Sequence, residues 1–338
     1  MRKQRTLTPS RVVRETPPQW GGGREREELV IAAQRAIAEG SKSFRFASLL
    51  FDKVTRERAQ MLYAWCRRCD DIADGQDHGG ALDKDAEATQ DRIEAIRVLT
   101  HRALDGQPTG AIAFDALGQV AAEVTLTADM ADDVIDGFAL DAADWHPRTE
   151  GDLMRYCFHV AGAVGVLMAR VMGVPADDED TLDRACDLGL AFQLSNIVRD
   201  VAEDAAADRC YIPEEWLVEA DIPPGEHMKP AYRDELVALV GRMVDLAEQH
   251  EAAARIGAAR LPFRSRWAVL SAANIYGAIG REVRRQGAAA WDHRVHTSKA
   301  AKLGHVARAF LQALRPPPPV PAMPRWGRRE LEAMGRSG

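Results

Sequence analysis

An all-α, single-domain fold is the class this sequence predicts, on three observations: a composition weighted to helix formers, apolar residues recurring every three to four positions, and no strand-like alternation. Only 6% of the 338 residues are aromatic. Ala, Leu, Glu, Asp and Arg abound instead, which favours helices over the β-branched and aromatic side chains of sheets. A hydrophobic content of 46% is enough to bury a substantial core.

Residues 1–24 are broken by Pro17-Pro18 and Gly21-Gly22-Gly23 and read as a disordered basic arm. The stretch MRKQRTLTPSRVV has no apolar centre, so it is not a secretory signal. The folded domain is expected over 25–314. Its first helix runs from about Arg24 to Glu39, where Gly40 punctuates. Ser41 or Ser43 then caps the next turn, placing Ser-Lys-Ser-Phe at a helix-to-helix junction. From Thr55 to Ala73, Met61, Leu62, Trp65 and Ile72 recur at helical spacing. Further helices are expected over Asp85–Leu104, Ala111–Leu126 and Asp129–Leu140, separated by Gly, Pro and Thr-rich turns. Asp152–Val171 is a helix rich in Gly and Ala, and Asp180–Glu203 is another. Later helices cover about Arg233–Ile256, Arg266–Gln286 and Ser298–Leu314. Pro316 to Pro319 ends regular structure, so 315–338 reads as an extended, mobile Pro-rich tail.

A net charge of −7 disfavours nucleic acid, whose phosphates call for clustered Lys and Arg. Arg281, Arg284 and Arg285 read as a solvated face. Five cysteines show no disulfide framework. Cys66 and Cys69 form a C-x-x-C, but it lies within a helix and no second pair follows, so zinc and redox roles are disfavoured. A cytoplasmic location is expected. The longest small-and-apolar run, Val160 to Ala169, is too short for a span of about 20 residues. Peripheral membrane contact is left open.

Two acidic clusters stand out. Arg67, Asp70, Asp71 and Asp74 fall three and four apart and share one helix face. Asn196, Arg199, Asp200, Glu203 and Asp204 repeat the arrangement on a second helix. Carboxylates so spaced repel by only a few tenths of a kcal/mol, so energy alone is compatible with a solvated surface. Their surroundings argue otherwise. Both clusters end apolar helices, have an arginine close by, and adjoin residues expected to be buried, Trp65 and Phe192. Carboxylates placed there need cations, and magnesium binds through one or two carboxylates plus substrate phosphates.

The runs GSKSF from Gly40, MLYAWCRRCDDIAD from Met61, RYCFHVAGAVG from Arg155 and DLGLAFQLSNIVRDVAEDAAADRCYIP from Asp187 carry a resemblance. Over about Gly40 to Leu303 the chain resembles the squalene and phytoene synthase family, and within it the bacterial phytoene synthases. The resemblance implies an isoprenoid-synthase-type helical bundle enclosing a central cavity. It implies head-to-head condensation of two geranylgeranyl diphosphates, through prephytoene diphosphate, to phytoene, with diphosphate released, as the first committed step of carotenoid biosynthesis.

By the same resemblance, Asp70 and Asp74 hold Mg2+ or Mn2+ from one helix, and Asn196, Asp200 and Asp204 from the other, two to three ions in all, with Glu203 and Asp71 weaker candidates. Ser41, Ser43, Arg67, Gln193, Asn196, Arg199 and Tyr211 contact the diphosphates or their metals. Tyr63, Tyr156 and Tyr276 line the reacting carbons, with Arg67 and Arg199 as fixed positive partners. NADPH is not expected, and no obligate protein partner is inferred. His159 reads as a satisfied pocket histidine. Gly162, Ala163, Gly165 and Ala169 thin one helix face, either to leave a tunnel for prenyl chains or to let a helix pack closely. A C15-using squalene or dehydrosqualene-type synthase shares most motif residues; Gly40 stands where the dehydrosqualene branch tends to have His. A non-catalytic prenyl-lipid-binding protein is expected to have lost the metal-binding acids, which this chain keeps.

Overall fold

The computed structural model describes residues 17–40, 47–75, 86–143, 145–317, 319 and 323–335. Ser41 and Ser43 lie outside the described residues. Among these residues there is no strand. The helices are α1 (Arg26–Gly40), α2 (Lys53–Ala73), α3 (Ala86–Leu104), α4 (Ile112–Val124), α5 (Ala128–Ala142), α6 (Glu150–Cys157), α7 (Ala163–Val171), α8 (Glu179–Ala206), α9 (Glu214–Glu219), α10 (Arg233–Ala258), α11 (Phe263–Gln286), α12 (Lys299–Ala313) and α13 (Arg328–Gly335). A π-helical turn, Phe158–Gly162, joins α6 to α7 within the span expected as one helix.

Helix starts follow local chemistry. The Asp52 side chain accepts from the Thr55 N–H at the start of α2, and Asp178 does the same for Thr181 at α8. Thr149 and Asp152 close a reciprocal capping box at α6. These caps fix where α2 and α8 begin, and so where their acid-bearing ends fall.

Long α8 is the axis of the fold, with α7, α10 and α11 packed around it. Its Leu182, Leu190, Leu194, Val198 and Val201 are buried, as are Leu236, Val240, Met243 and Val244 of α10. Each such side chain contributes about 1.5–3 kcal/mol by leaving water. Helix α2 packs on α1, α3, α4 and α5 and touches α7, which also contacts α8. The two acid-bearing helices are thus carried by a shared neighbour.

The glycines of the π-turn and α7 serve close packing. A Cβ on Gly165 would overlap the Ala185 carbonyl, and one on Gly189 would overlap that of Ala161. A Cβ on Gly162 would lie 3.0 Å from the Cys186 sulfur. Of the two readings of this thin face, helix contact is what occupies it. Gly189→Ala is therefore expected to cost about 1–3 kcal/mol through overpacking. An unchanged urea midpoint would contradict the close approach.

Both termini depart from expectation. Residues 17–24 belong to the ordered fold: the Gln19 N–H donates to the Gly106 carbonyl and Arg24 Nε to Asp115 Oδ2 at 3.2 Å. Gly22, at φ 66°, lies against the Asp115 carboxylate, where a side chain would collide. At the other end, 328–335 is helix α13 rather than extended chain. Leu331 is fully buried, and Trp326 donates its indole N–H to Glu150 Oε1 at 2.8 Å. Arg328 pairs with Glu179, Asp183 and Glu332. Local proline content could not foresee this, because the burial comes from α6 and α8, distant in sequence.

Candidate active site

Both acid-bearing helices end against their own dipole. A helix C-terminus carries partial negative charge and favours cations, each misplaced carboxylate costing about 0.3–1 kcal/mol. Yet the last turns of α2 and α8 contain no basic residue, and hold Asp70, Asp71, Glu203 and Asp204. Asp74 caps α2, its N–H donating to the Asp70 carbonyl. Such ends are stabilised when a cation arrives.

On α2, Arg67 reaches Asp70 Oδ2 at 3.1 Å and Asp71 Oδ1 at 2.5 Å. Burial pushes the Asp70 carboxyl above its usual range, and the charges of Asp74 and Asp71 add to this against the pull of Arg67. A hollow of about 140 Å³ adjoins this face, lined by Ala33, Ala64, Arg67, Asp71 and Ile112. The Tyr63 phenol is raised, first by burial. A Cβ on Gly40 would lie 2.6 Å from the Tyr63 hydroxyl, so Gly40 lets α1 end against this tyrosine.

On α8, Gln193, Asn196, Asp200 and Asp204 follow one another at three and four residues. Two arginines hold Asp200: Arg199 Nε donates to Oδ1 at 2.7 Å, and Arg294 Nε, from the loop before α12, at 2.9 Å. Burial pushes Asp200 up, but these hydrogen bonds outweigh it and the carboxyl sits below its usual range. Asp204 has the opposite balance. Burial, then Asp200 and Glu203, push it up to about 6 against the weaker pull of Arg209 and Arg199.

Asp141 and Arg209, which the sequence did not single out, bridge the clusters. Asp141, in the last turn of α5, accepts the Tyr156 O–H at 2.7 Å. Crowding by protein raises its carboxyl, opposed by the Tyr156 hydrogen bond and by Arg209 and reinforced by the charges of Asp70 and Asp74. Arg209 in turn lies within electrostatic reach of Asp141 and Asp204 and bonds Tyr211. Burial, and secondarily the Asp141 charge, drives the Tyr156 phenol far above its usual range. Tyr156 is stacked between Trp145, at 5.5 Å, and Tyr211, at 4.8 Å between ring centroids. A second stack, Phe192 on Tyr276 at 4.2 Å, lies on α8 and α11 near Arg199.

The structure therefore connects Asp70, Asp74, Tyr156, Asp204 and Tyr211, with Asn196, Arg199 and Asp200 on the same stretch of α8. Among the described residues no three His, Cys, Asp or Glu side chains converge as a ready-made metal cage. The donor chemistry nonetheless fits a hard cation: all the clustered acids are oxygen donors, and three of them, Asp70, Asp141 and Asp204, are raised by burial and by neighbouring carboxylates. His159 is apart from this chemistry. Its Nδ1 lies 2.8 Å from the Asp133 carbonyl, and burial lowers its pKa. The Cys66 thiol, pushed up to about 12 by burial, stays protonated, and no cysteine is bridged.

Residues 37–301 match the squalene/phytoene synthase family. The chain is 46% identical to a phytoene synthase of Pseudescherichia vulneris over 289 residues, 85% of this chain and 93% of that protein. It is 42% identical to a 15-cis-phytoene synthase of Pantoea ananas over 299 residues, 87% and 96% of the two chains. Among solved structures, a dehydrosqualene synthase in complex with a ligand superposes with a TM-score of 0.74 at 26% identity, covering 85% of this chain and 97% of that one. A squalene synthase from Alicyclobacillus acidocaldarius shares the fold, with a TM-score of 0.69 at 23% identity over 79% and 98% of the chains. The all-α, isoprenoid-synthase-type fold agrees with the sequence expectation. This chain belongs to the squalene/phytoene synthase family.

Proposed function

We propose that this enzyme condenses two geranylgeranyl diphosphates head to head, through prephytoene diphosphate, to phytoene, using Mg2+ or Mn2+ and no NADPH. The observation that carries the reading is the pair of acid-ended helices joined through Asp141 and Arg209. Its substrate class follows the relatives named phytoene synthase.

Asp70, Asp74 and Asp204, with Asn196 and Asp200, would hold two to three divalent ions, which neutralise a diphosphate and make it a leaving group. Arg67, Arg199, Arg209 and Arg294 are fixed cations beside that position. Arg199 and Arg294, now on Asp200, can turn to phosphate oxygens without leaving the site. Gln193 offers an amide donor from α8. The stacks Trp145–Tyr156–Tyr211 and Phe192–Tyr276 present π-faces to an allylic cation and keep water from it. Tyr63 contributes a further hydroxyl beside Arg67.

The final proton has two candidate acceptors, Tyr156 and the released diphosphate. Tyr156 already donates to Asp141 and holds its own proton tightly, which favours diphosphate. Tyr156 then acts by orienting its oxygen lone pairs toward the cation. Tyr156→Phe is accordingly expected to lower kcat by about 10²-fold, the scale of one preorganised polar group. Full activity in this variant would remove Tyr156 from the chemistry.

Substrate choice is tested by offering geranylgeranyl and farnesyl diphosphates separately, with and without NADPH, and extracting the hydrocarbon. A C40 product from the longer substrate supports the proposal. A C30 product from farnesyl diphosphate alone moves the enzyme to the squalene side.

A further inference from the structure

Helix α12 is apolar on the side that faces away from the protein. Leu303, Ala307, Phe310 and Leu314 fall at intervals of four, three and four, with Leu311 four residues after Ala307, hence on one face. All are exposed, Leu303 and Leu314 by 62%. The opposite face is the packed one, with Ala309 and Ala313 buried and the Trp267 indole N–H donating to the Val306 carbonyl at 2.9 Å. Phe310 spreads the apolar surface onto α11 through edge contacts with Phe263 and Trp267. Water covers such a stripe at a cost proportional to its area.

Along one border of this stripe opens a cleft of about 690 Å³, between α10, α11 and α12. Five arginines line it: Arg255, Arg266, Arg281, Arg308 and Arg315. Its one carboxylate, Glu251, is already shared by Arg255 and Arg281. Arg266 spends its terminal nitrogens on the carbonyls of Ala259, Leu261 and Ala313. Among the described residues neither Arg308, on the cleft side of α12, nor Arg315, just past its end, has an acidic partner, and both are exposed. This is a concentrated positive site on a chain of net charge −7.

We propose that α12 and its arginine cleft form a docking surface for an anionic phospholipid bilayer, the apolar stripe entering the acyl boundary and the cleft taking lipid phosphate. The combination of an apolar helix face and a cationic flank is what an interfacial helix requires. Its 15 residues span about 22 Å, and the helix lies along the surface rather than across it. Among the described residues no helix is long and apolar enough to cross a membrane. Residues 302–313 of α12 lie beyond the stretch matched by the family, which ends at 301. The surface is independent of the catalytic residues assigned above.

The test is flotation of the full chain with vesicles of phosphatidylcholine alone or mixed with phosphatidylglycerol, without prenyl diphosphate. The expected result is binding to the mixed vesicles, weakened by salt. Arg308→Glu with Arg315→Glu weakens it by about 30-fold or more, since each basic residue near such a surface contributes about a fivefold factor. Leu303→Glu with Leu311→Glu abolishes it. Circular dichroism and hydrocarbon formation in detergent are expected to stay unchanged in both variants. Protein that remains in solution with anionic vesicles overturns the proposal, as does equal binding to neutral vesicles or wild-type binding by both variants. A dimer split by the Leu→Glu pair would assign the face to a second copy instead. Because the vesicle assay contains no substrate, its failure leaves the catalytic reading standing.

Discussion

Asp70→Ala and Asp204→Ala are each expected to reduce hydrocarbon formation by about 10³-fold or more, the scale on which charge stabilisation of a leaving group operates. Both residues sit at helix ends that disfavour anions, and both are raised above the usual carboxylate range by burial. Neither supports the fold, so helical circular dichroism should be unchanged. Retained turnover in either variant would remove the metal-and-diphosphate role. Asp204 adds a thermodynamic signature. Its folded-state value of about 6 lies above the ordinary 3.8. The folded protein therefore prefers the protonated carboxyl, and stability falls as pH rises between those values. Above about 6 the penalty is complete. In the absence of metal, Asp204→Asn should melt higher than the parent at pH 7.5 and not at pH 4. Equal melting at both would contradict the uncompensated charge.

Asp187→Ala is expected to be the most destabilising of the substitutions considered, at about 3–5 kcal/mol, the cost of leaving one member of a buried ion pair alone. Asp187 lies inside the α8–α10 contact, with Arg184 Nη1 at 2.7 Å and His250 Nδ1 at 2.7 Å. His250 is 1% exposed. Arg184 crosses α10 directly over Gly257, where a side chain would collide with its Cβ. Removing the carboxylate leaves the largely buried guanidinium only the exposed Asp180, whose Oδ1 is 3.9 Å from its Nε. Chemical unfolding measures this directly, and a loss below 1 kcal/mol would show that the guanidinium finds another partner.

Asp187 also shows what the sequence can and cannot say. It opens the longest of the family-like runs, yet it holds two helices together and is remote from the acids at the other end of α8. The acid clusters themselves were legible because their signal is local: helical spacing, an adjacent arginine, and acidic residues where a helix favours basic ones. The helices were legible for the same reason, since apolar periodicity is read within a few residues. Asp141 was not, because a single carboxylate at the end of α5 looks like any surface acid until Tyr156 and Asp70 are brought to it. Arg294 is likewise a loop residue until it meets Asp200. The small face from Gly162 to Ala169 allowed two readings, because a missing side chain does not say whether a ligand or a helix takes the space. Helix α13 was hidden by the prolines before it, its stability coming from Trp326, Arg328 and Leu331 against distant elements.

Two diphosphate ionisations in one acid-lined site can be followed by measuring diphosphate and hydrocarbon together. Purified protein is given geranylgeranyl diphosphate and Mg2+ without NADPH, and both products are followed over time. Two diphosphates are expected to be released for each C40 hydrocarbon formed, with both products lost in Asp204→Ala. One diphosphate per product, with a cyclopropyl intermediate as the end point, or no release at all from a folded, metal-binding protein, would contradict this expectation.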